Sequence, residues 1–327
     1  MQSGQYIPGL KLANAQDLVS SAKITSDGTF ELSELPEDGT WKQLNRVSAM
    51  LLPFTTGKTP QFTFPVKAAE STTVKVGLYT AKRYGNYTPE VCLSEKEYPV
   101  PAGESLLKVD FKQSLKKEQY ALVIFNKNEK VSIAQTNIRL SGVLSLFHSW
   151  SQKQNDQYGI EEIPFYVPER RPGGKNFAMK VTPAIKSFAT SQLGSGVFRP
   201  ANGRANAWIA PLAAKTAQLK CEWNQPQEIR KIVLWFDSDF DHAMESCLMG
   251  HPENIMPLCV QQYKILDDAG HTIYEVSDNH QSRNEILLEK PVKTSSITLR
   301  LQRSLENVPI SVFGVQAFSS DKIITNN

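Results

Sequence analysis

Three polar stretches in the C-terminal half of this 327-residue chain carry the residue types that could do chemistry. The first runs Arg199-Pro200-Ala201-Asn202-Gly203-Arg204-Ala205-Asn206-Ala207-Trp208, the second Asp237-Ser238-Asp239-Phe240-Asp241-His242, and the third Asn279-His280-Gln281-Ser282-Arg283. Arg199, Arg204, Asn206, Asn279, His280 and Arg283 offer planar hydrogen-bonding groups of the kind that bind sugar hydroxyls. Trp208 is read as a core anchor beneath its loop, with a stacking platform for a sugar ring as the functional alternative. Asp237, Asp239 and Asp241 alternate, which at a strand end places them on one side, and a hard cation such as Ca²⁺ takes six to eight oxygens. No glycine or distal glutamate stands at the offsets of an EF-hand loop, and solvated loop acids or caps are the other reading of these aspartates. His242, Cys247, His251 and Cys259 are four zinc-type ligands within 18 residues. Their spacing matches no knuckle with paired ligands two to four residues apart, so an ordered loop with a buried Cys259 is expected instead. No Ser-His-Asp or Cys-His arrangement can be assembled, and no catalytic residue is assigned. The expected ligand set is Arg199, Arg204, Asn206, Trp208, Asp239, His242, Asn279 and Arg283, gathered from loops at one end of a rigid scaffold.

That scaffold is a matter of period-2 patterning. Phe62-Thr63-Phe64-Pro65-Val66 and Thr73-Val74-Lys75-Val76-Gly77-Leu78-Tyr79 alternate apolar and polar residues, the pattern of half-buried strands. Further strands are expected over 22–35, 90–93, 106–111, 120–125 and 131–140, with residues 41–53 less regular. Turns fall at Pro36-Glu37-Asp38-Gly39, Pro101-Ala102-Gly103-Glu104 and Asn126-Lys127-Asn128-Glu129. Residues 12–20 suggest a short helix. No helical periodicity separates the strands, which excludes a βαβ organisation and predicts an antiparallel sandwich. Residues 148–195, with Pro164, Pro168, Pro172, Gly173 and Gly174, read as a loop-like join, weakly helical at most over 183–193. Strands resume over 217–223, 230–236, 260–266, 272–276, 285–288, 296–301 and 310–318, with Asp267-Asp268-Ala269-Gly270 as a hairpin turn. The expected fold is all-β: two antiparallel, jelly-roll-like sandwiches at 1–150 and 196–327, joined by 151–195.

Bulk properties narrow the partners. With 36 basic and 33 acidic side chains and a net charge of +3, the chain has no phosphate-backbone footprint, so nucleic acid is not an expected partner. No apolar run reaches the ~20 residues of a membrane-spanning helix, and no basic-then-apolar leader is visible at the start. That leaves a cytoplasmic protein or a piece whose targeting signal lies upstream. Cys92, Cys221, Cys247 and Cys259 are too few for a disulfide scaffold and read as free thiols in or near a core; in an oxidising compartment Cys247 and Cys259 could pair.

Residues 201–208 resemble the opening motif of discoidin domains, the coagulation-factor C-type, galactose-binding-like sandwich. The closing Phe313-Gly314-Val315-Gln316-Ala317-Phe318 fits the same pattern. A longer series is similar to the C-terminal region of a bacterial family of FAD-dependent oxidoreductases. It comprises Leu44-Asn45-Arg46 with residues 49–53, Gly85-Asn86-Tyr87-Thr88-Pro89, residues 141–147, residues 236–242, and Gly250-His251-Pro252-Glu253 with residues 257–260. The likeness spans about residues 22–319. In that family a flavin domain precedes two sandwich modules. Discoidin domains often hold calcium near the opening loop, with an acid before the glycine; here that position is Asn202. No G-x-G-x-x-G follows a strand in this chain, so no FAD and no redox activity are expected of it. The resemblance favours a periplasmic or extracellular location. Three functions stand side by side: a carbohydrate-binding module acting through the loops of the second sandwich, accessory to a flavoenzyme; a structural docking accessory on a flavoenzyme domain with no ligand of its own; and an enzyme. Exposed aromatics at the loop end favour the first, a large apolar patch on the first sandwich the second, and a deep pocket with a perturbed histidine or carboxylate the third.

Overall fold

The computed structural model describes Val19 and residues 22–80, 89–148, 166–168, 175–201, 203–237 and 259–319. Every strand pair among them is antiparallel, and the described residues contain no α-helix.

The first sandwich packs two sheets. One has the order Tyr166–Pro168, Leu144–His148, Ser48–Phe54, Gln119–Phe125, Thr72–Thr80, Val91–Val100. The other has the order Asn176–Phe177, Asn128–Thr136, Gln61–Ala68, Met179–Ile185, Leu32–Leu35, with Trp41–Leu44 paired to Asn128–Thr136 and Gly103–Val109 to Gln61–Ala68. Alternation builds the core: Phe62, Phe64 and Val66 point inward from Gln61–Ala68 and meet Phe54, Phe111 and Phe125, edge to face in several pairs. Ser48–Phe54 shows no alternation because both its faces are covered: Met50, Leu52 and Phe54 enter the main core, while Ala49 and Leu51 join Leu122, Ile124, Leu144 and Leu146 on the opposite side of the sheet.

The second sandwich is one sheet folded on itself. Its order is Trp208–Ile209, Ser311–Phe318, Thr216–Phe236, Arg283–Gln302, Gln262–Leu266, Thr272–Val276, with Lys23–Ser26 also paired to Thr216–Phe236. The two long strands run antiparallel through both layers, and their register shifts between Glu222 and Gln227 and between Ile229 and Lys231. Pro226, which has no N–H for the ladder, stands at the first shift. The bend brings Ala217, Leu219 and Cys221 into one core with Ile232, Leu234 and Phe236. Asp267 and Gly270 close the expected hairpin between Gln262–Leu266 and Thr272–Val276, Gly270 at φ +84°.

Two boundaries differ from the sequence expectation. The join at 151–195 contains Asn176–Phe177 and Met179–Ile185, both strands of the first sandwich. Phe177, Met179 and Val181 are buried there, while Pro183 and a register shift between Lys180 and Ile185 disguise the strand as loop. No helix follows, only a 3₁₀ turn at Thr190–Gly194. Conversely Lys23–Ser26, inside the expected first domain, belongs to the second sheet. The two sandwiches share apolar packing: Ala205, Ala207, Ile209 and Phe313 extend the core of the first. Ser141 and Ser311 hydroxyls meet at 2.6 Å, and the Arg139 N–H donates to the Asn307 carbonyl at 3.0 Å.

Candidate functional site

Three strands set the geometry of the loop end. Trp235, near the end of Thr216–Phe236, pairs with Arg283 on one side and Gly314 on the other. Leu234 and Phe236 face the core of the second sandwich, so Trp235 points to the other side of the strand, where it is half-buried and packs with Phe198 against the core of the first sandwich. The ring of Phe198 lies on it, centroids 3.8 Å apart and planes 6° from parallel. This approach requires a glycine beneath it: a Cβ on Gly314 would stand 2.5 Å from the Phe198 ring. The Arg283 guanidinium is 6.0 Å from the centre of the Trp235 ring, and its Nη2 lies 2.8 Å from Glu285 Oε2. Glu285 Oε1 is in turn 3.2 Å from Lys231 Nζ, and that ammonium stands 4.8 Å from the Phe318 ring. Burial works to raise the Glu285 carboxyl, but hydrogen bonds from Arg283 and Lys231 and their charges outweigh it and hold it below its ordinary value.

The expected site residues divide sharply. Arg199 is exposed and next to Phe198 in the chain, and its carbonyl accepts a 3.0 Å hydrogen bond from the Asn206 amide. Asn206 itself is buried at φ +48°, donates also to the Ala201 carbonyl at 2.8 Å, and is therefore a loop clamp and not a ligand contact. Trp208 is fully buried; its indole N–H is directed at the Gly28 carbonyl and the Thr29 hydroxyl, which confirms the anchor and removes the stacking platform. Arg204 forms an ion pair with Glu118 of the first sandwich, and Gly203 lies so close to it that a Cβ would be 3.1 Å from Gln119 Cα. Asn279 is buried, its amide donating to the Val260 and Gln281 carbonyls and the Cys259 sulfur, so it too ties loop to loop. Asp237 is buried as well. Asp239, Asp241 and His242 lie outside the described residues, as do Asn202, Cys247 and His251. Of the expected set, Arg283 stands over the half-buried Phe198–Trp235 pair, and Arg199 is exposed next to Phe198 in the chain. The expectation missed Phe198, Trp235, Glu285 and Lys231. The signal was there for two of them: Lys231, Val233 and Trp235 alternate with the core-facing Ile232, Leu234 and Phe236.

No family model matches the chain, and no curated protein matches it. Among solved structures, the chain is similar to a fucose-binding module of Streptococcus pneumoniae, with 12% identity over 41% of this chain and 88% of that one, at a TM-score of 0.31. It is similar also to the family 32 carbohydrate-binding module of C. perfringens NanJ solved with galactose, with 9% identity, 40% and 85% covered, and a TM-score of 0.30. A chitosan-binding module of a chitosanase/glucanase from Paenibacillus sp. IK-5 follows at 10% identity, 40% and 86% covered, and a TM-score of 0.29.

Burial, first, and the neighbouring Asp237 charge push the Cys259 thiol up to about 12, and burial alone does the same for Cys221, so neither is a thiolate nucleophile. Cys92, expected near a core, is exposed on the strand Val91–Val100. The described residues hold no cluster of metal-ligating side chains. A recess beside Cys259 and Ser304 offers about 10 Å³, room for about one water and far below an ordinary ligand pocket.

Proposed function

We propose that this chain is a non-catalytic carbohydrate-binding unit whose ligand site is centred on Phe198 and Trp235, with Arg199 and Arg283 beside them. The observation that carries the reading is the half-buried Phe198–Trp235 stack with a guanidinium at 6.0 Å, at the end of the second sheet. A pyranose presents an apolar C–H face and a rim of hydroxyls; an aromatic platform meets the first and planar donors the second. The site is shallow and buries little area, so affinity in the millimolar to micromolar range is expected. No metal or flavin takes part.

The motif series of the sequence adds a context: the unit serves as an accessory of a flavoenzyme, outside the cytoplasm. Pure docking without a ligand is supported less, because a docking face would need a contiguous apolar patch, and Leu106 is the large hydrophobic exposed on the first sandwich among the described residues. A glycan array followed by NMR titration tests the reading. Phe198→Ala and Arg283→Ala should each weaken binding at least about tenfold, the loss of roughly 1.4 kcal/mol. Arg204→Ala, at the ion pair with Glu118, should leave affinity within about twofold. Glycan binding that ignores Phe198 and Arg283 would place the site elsewhere, and no binding at all would give the lead to docking.

A further inference from the structure

Resting on the carbohydrate reading, we infer that the first sandwich takes part in ligand binding: Gly142 and Gly203 are positioning residues, the side-chain-free contacts that seat Phe198 on Trp235. The loop that carries Phe198 is closed on itself. The Ala201 N–H donates to the Arg204 carbonyl at 2.9 Å, and the Arg204 N–H to the Ala201 carbonyl at 3.1 Å. The Asn206 amide ties the Arg199 and Ala201 carbonyls into the same unit. A displacement at one end of this unit is passed to the other, where Phe198 precedes Arg199. The unit rests on the first sandwich at two close contacts. A Cβ on Gly203 would stand 3.1 Å from the Gln119 Cα and from the Glu118 carbonyl oxygen, main-chain atoms that cannot rotate aside. A Cβ on Gly142, in the turn that the Val143 N–H closes on the Leu140 carbonyl, would collide with the Tyr120 hydroxyl and stand 3.3 Å from the Pro200 ring. Both glycines have positive φ, +76° at Gly203 and +73° at Gly142, where a β-carbon is strained.

The contacts reach the stack because the stack belongs to both sandwiches. Phe198 and Trp235 are half-buried, and both pack against the core of the first sandwich, to which Ala205, Ala207 and Phe313 also belong. The ring centroids are 3.8 Å apart, which leaves no slack. A gap of about 0.5–1 Å forfeits roughly a quarter to a half of a van der Waals contact. The Arg204–Glu118 ion pair crosses the same boundary, but its side chains are 51% and 32% exposed, and exposed pairs contribute little. Backbone fit, not charge, therefore sets the place of Phe198. Ligand affinity then responds to residues of the first sandwich that touch no ligand.

The test uses the full chain and two measurements: the Trp235 indole N–H resonance without ligand, and titration with neutral galacto-, fuco- and gluco-oligosaccharides, the tightest of which serves as probe. Folding of each variant is checked by circular dichroism. Gly203→Ala and Gly142→Ala push the loop off its seat. Pro200→Ala removes the ring that lies on Gly142 and adds no clash, so it decides the matter where a glycine variant does not fold. Gly270→Ala is the control: its φ is +84°, equally strained, but nothing stands within 4 Å of its Cβ. In the first three variants the Trp235 resonance should move toward its position in Phe198→Ala, and binding should weaken about three- to tenfold. Gly270→Ala should leave the resonance in place and binding within about twofold. Folded variants that keep the wild-type resonance and bind within about twofold of the wild type would overturn the positioning role and leave the carbohydrate reading standing. An equal loss of binding in Gly270→Ala would mean general strain and overturn it as well. A resonance that moves while binding does not would put the ligand away from the stack, and no binding by the wild type would leave no ligand to position; either result overturns both.

Discussion

At the scale of the residue, what distinguishes a ligand contact from a structural clamp is where its hydrogen bonds already go. Asn206 and Asn279 look like sugar-binding amides by type, yet both have their donors engaged by carbonyls within the loops. Asn206→Ala should lower stability by roughly 1–3 kcal/mol, because it leaves the Arg199 and Ala201 carbonyls without their donor. Urea denaturation measures this, and an unchanged midpoint would contradict the clamp. Glu285 gives the pH prediction. Its folded carboxyl titrates below its ordinary value of 4.5, so its stabilising contribution is whole above that pH and is lost as pH falls through the lower folded value. The stability gap between the wild type and Glu285→Gln should therefore be present at pH 7 and close on acidification below 4.5; a gap constant to pH 3 would show that the ion pairs contribute nothing. Residue types and their rough location were legible in the sequence. Their satisfaction was not: nothing in the spacing of Trp208 says that its N–H meets Gly28 and Thr29, some 180 residues away in the chain.

At the scale of the element, the half-buried strands were legible and the fully buried and punctuated ones were not. Thr72–Thr80 and Thr272–Val276 fall where alternation places them. Ser48–Phe54 escaped because burial on both faces erases the period, and Met179–Ile185 because Pro183 reads as loop. The long strands Thr216–Phe236 and Arg283–Gln302 each read as two, since their central bulges expose polar residues at the bend. The structural importance of the second group can be measured. Phe177 is fully buried and meets Phe125 edge to face at 5.6 Å, so Phe177→Ala should destabilise by about 3–5 kcal/mol. A change below about 1 kcal/mol, the scale of ordinary surface substitutions, would return this segment to the status of a linker.

At the scale of the whole molecule, the sequence marks two sandwiches but hides their union. The opening loop of the second is held from below by the first: Arg204 on Glu118, Gly203 against Gln119, Ser311 on Ser141, and Ala205, Ala207, Ile209 and Phe313 within the neighbouring core. Such contacts pair residues far apart in the chain and leave no local periodicity to read. They predict that the sandwiches unfold together: calorimetry should show one transition with equal calorimetric and van't Hoff enthalpies, whereas two separated transitions would mean independent domains. A loop fixed this way holds Phe198 on Trp235 in one arrangement, which is what the proposed site needs to be selective. The measurement that bears most directly on this account is an NMR titration of the intact chain with glycans, followed at the Trp235 indole. Saturable shifts of that signal, abolished in Phe198→Ala and Arg283→Ala but retained in Arg204→Ala, are the predicted result; a glycan that binds while leaving the Trp235 signal unmoved, or the absence of any glycan that binds, would contradict it.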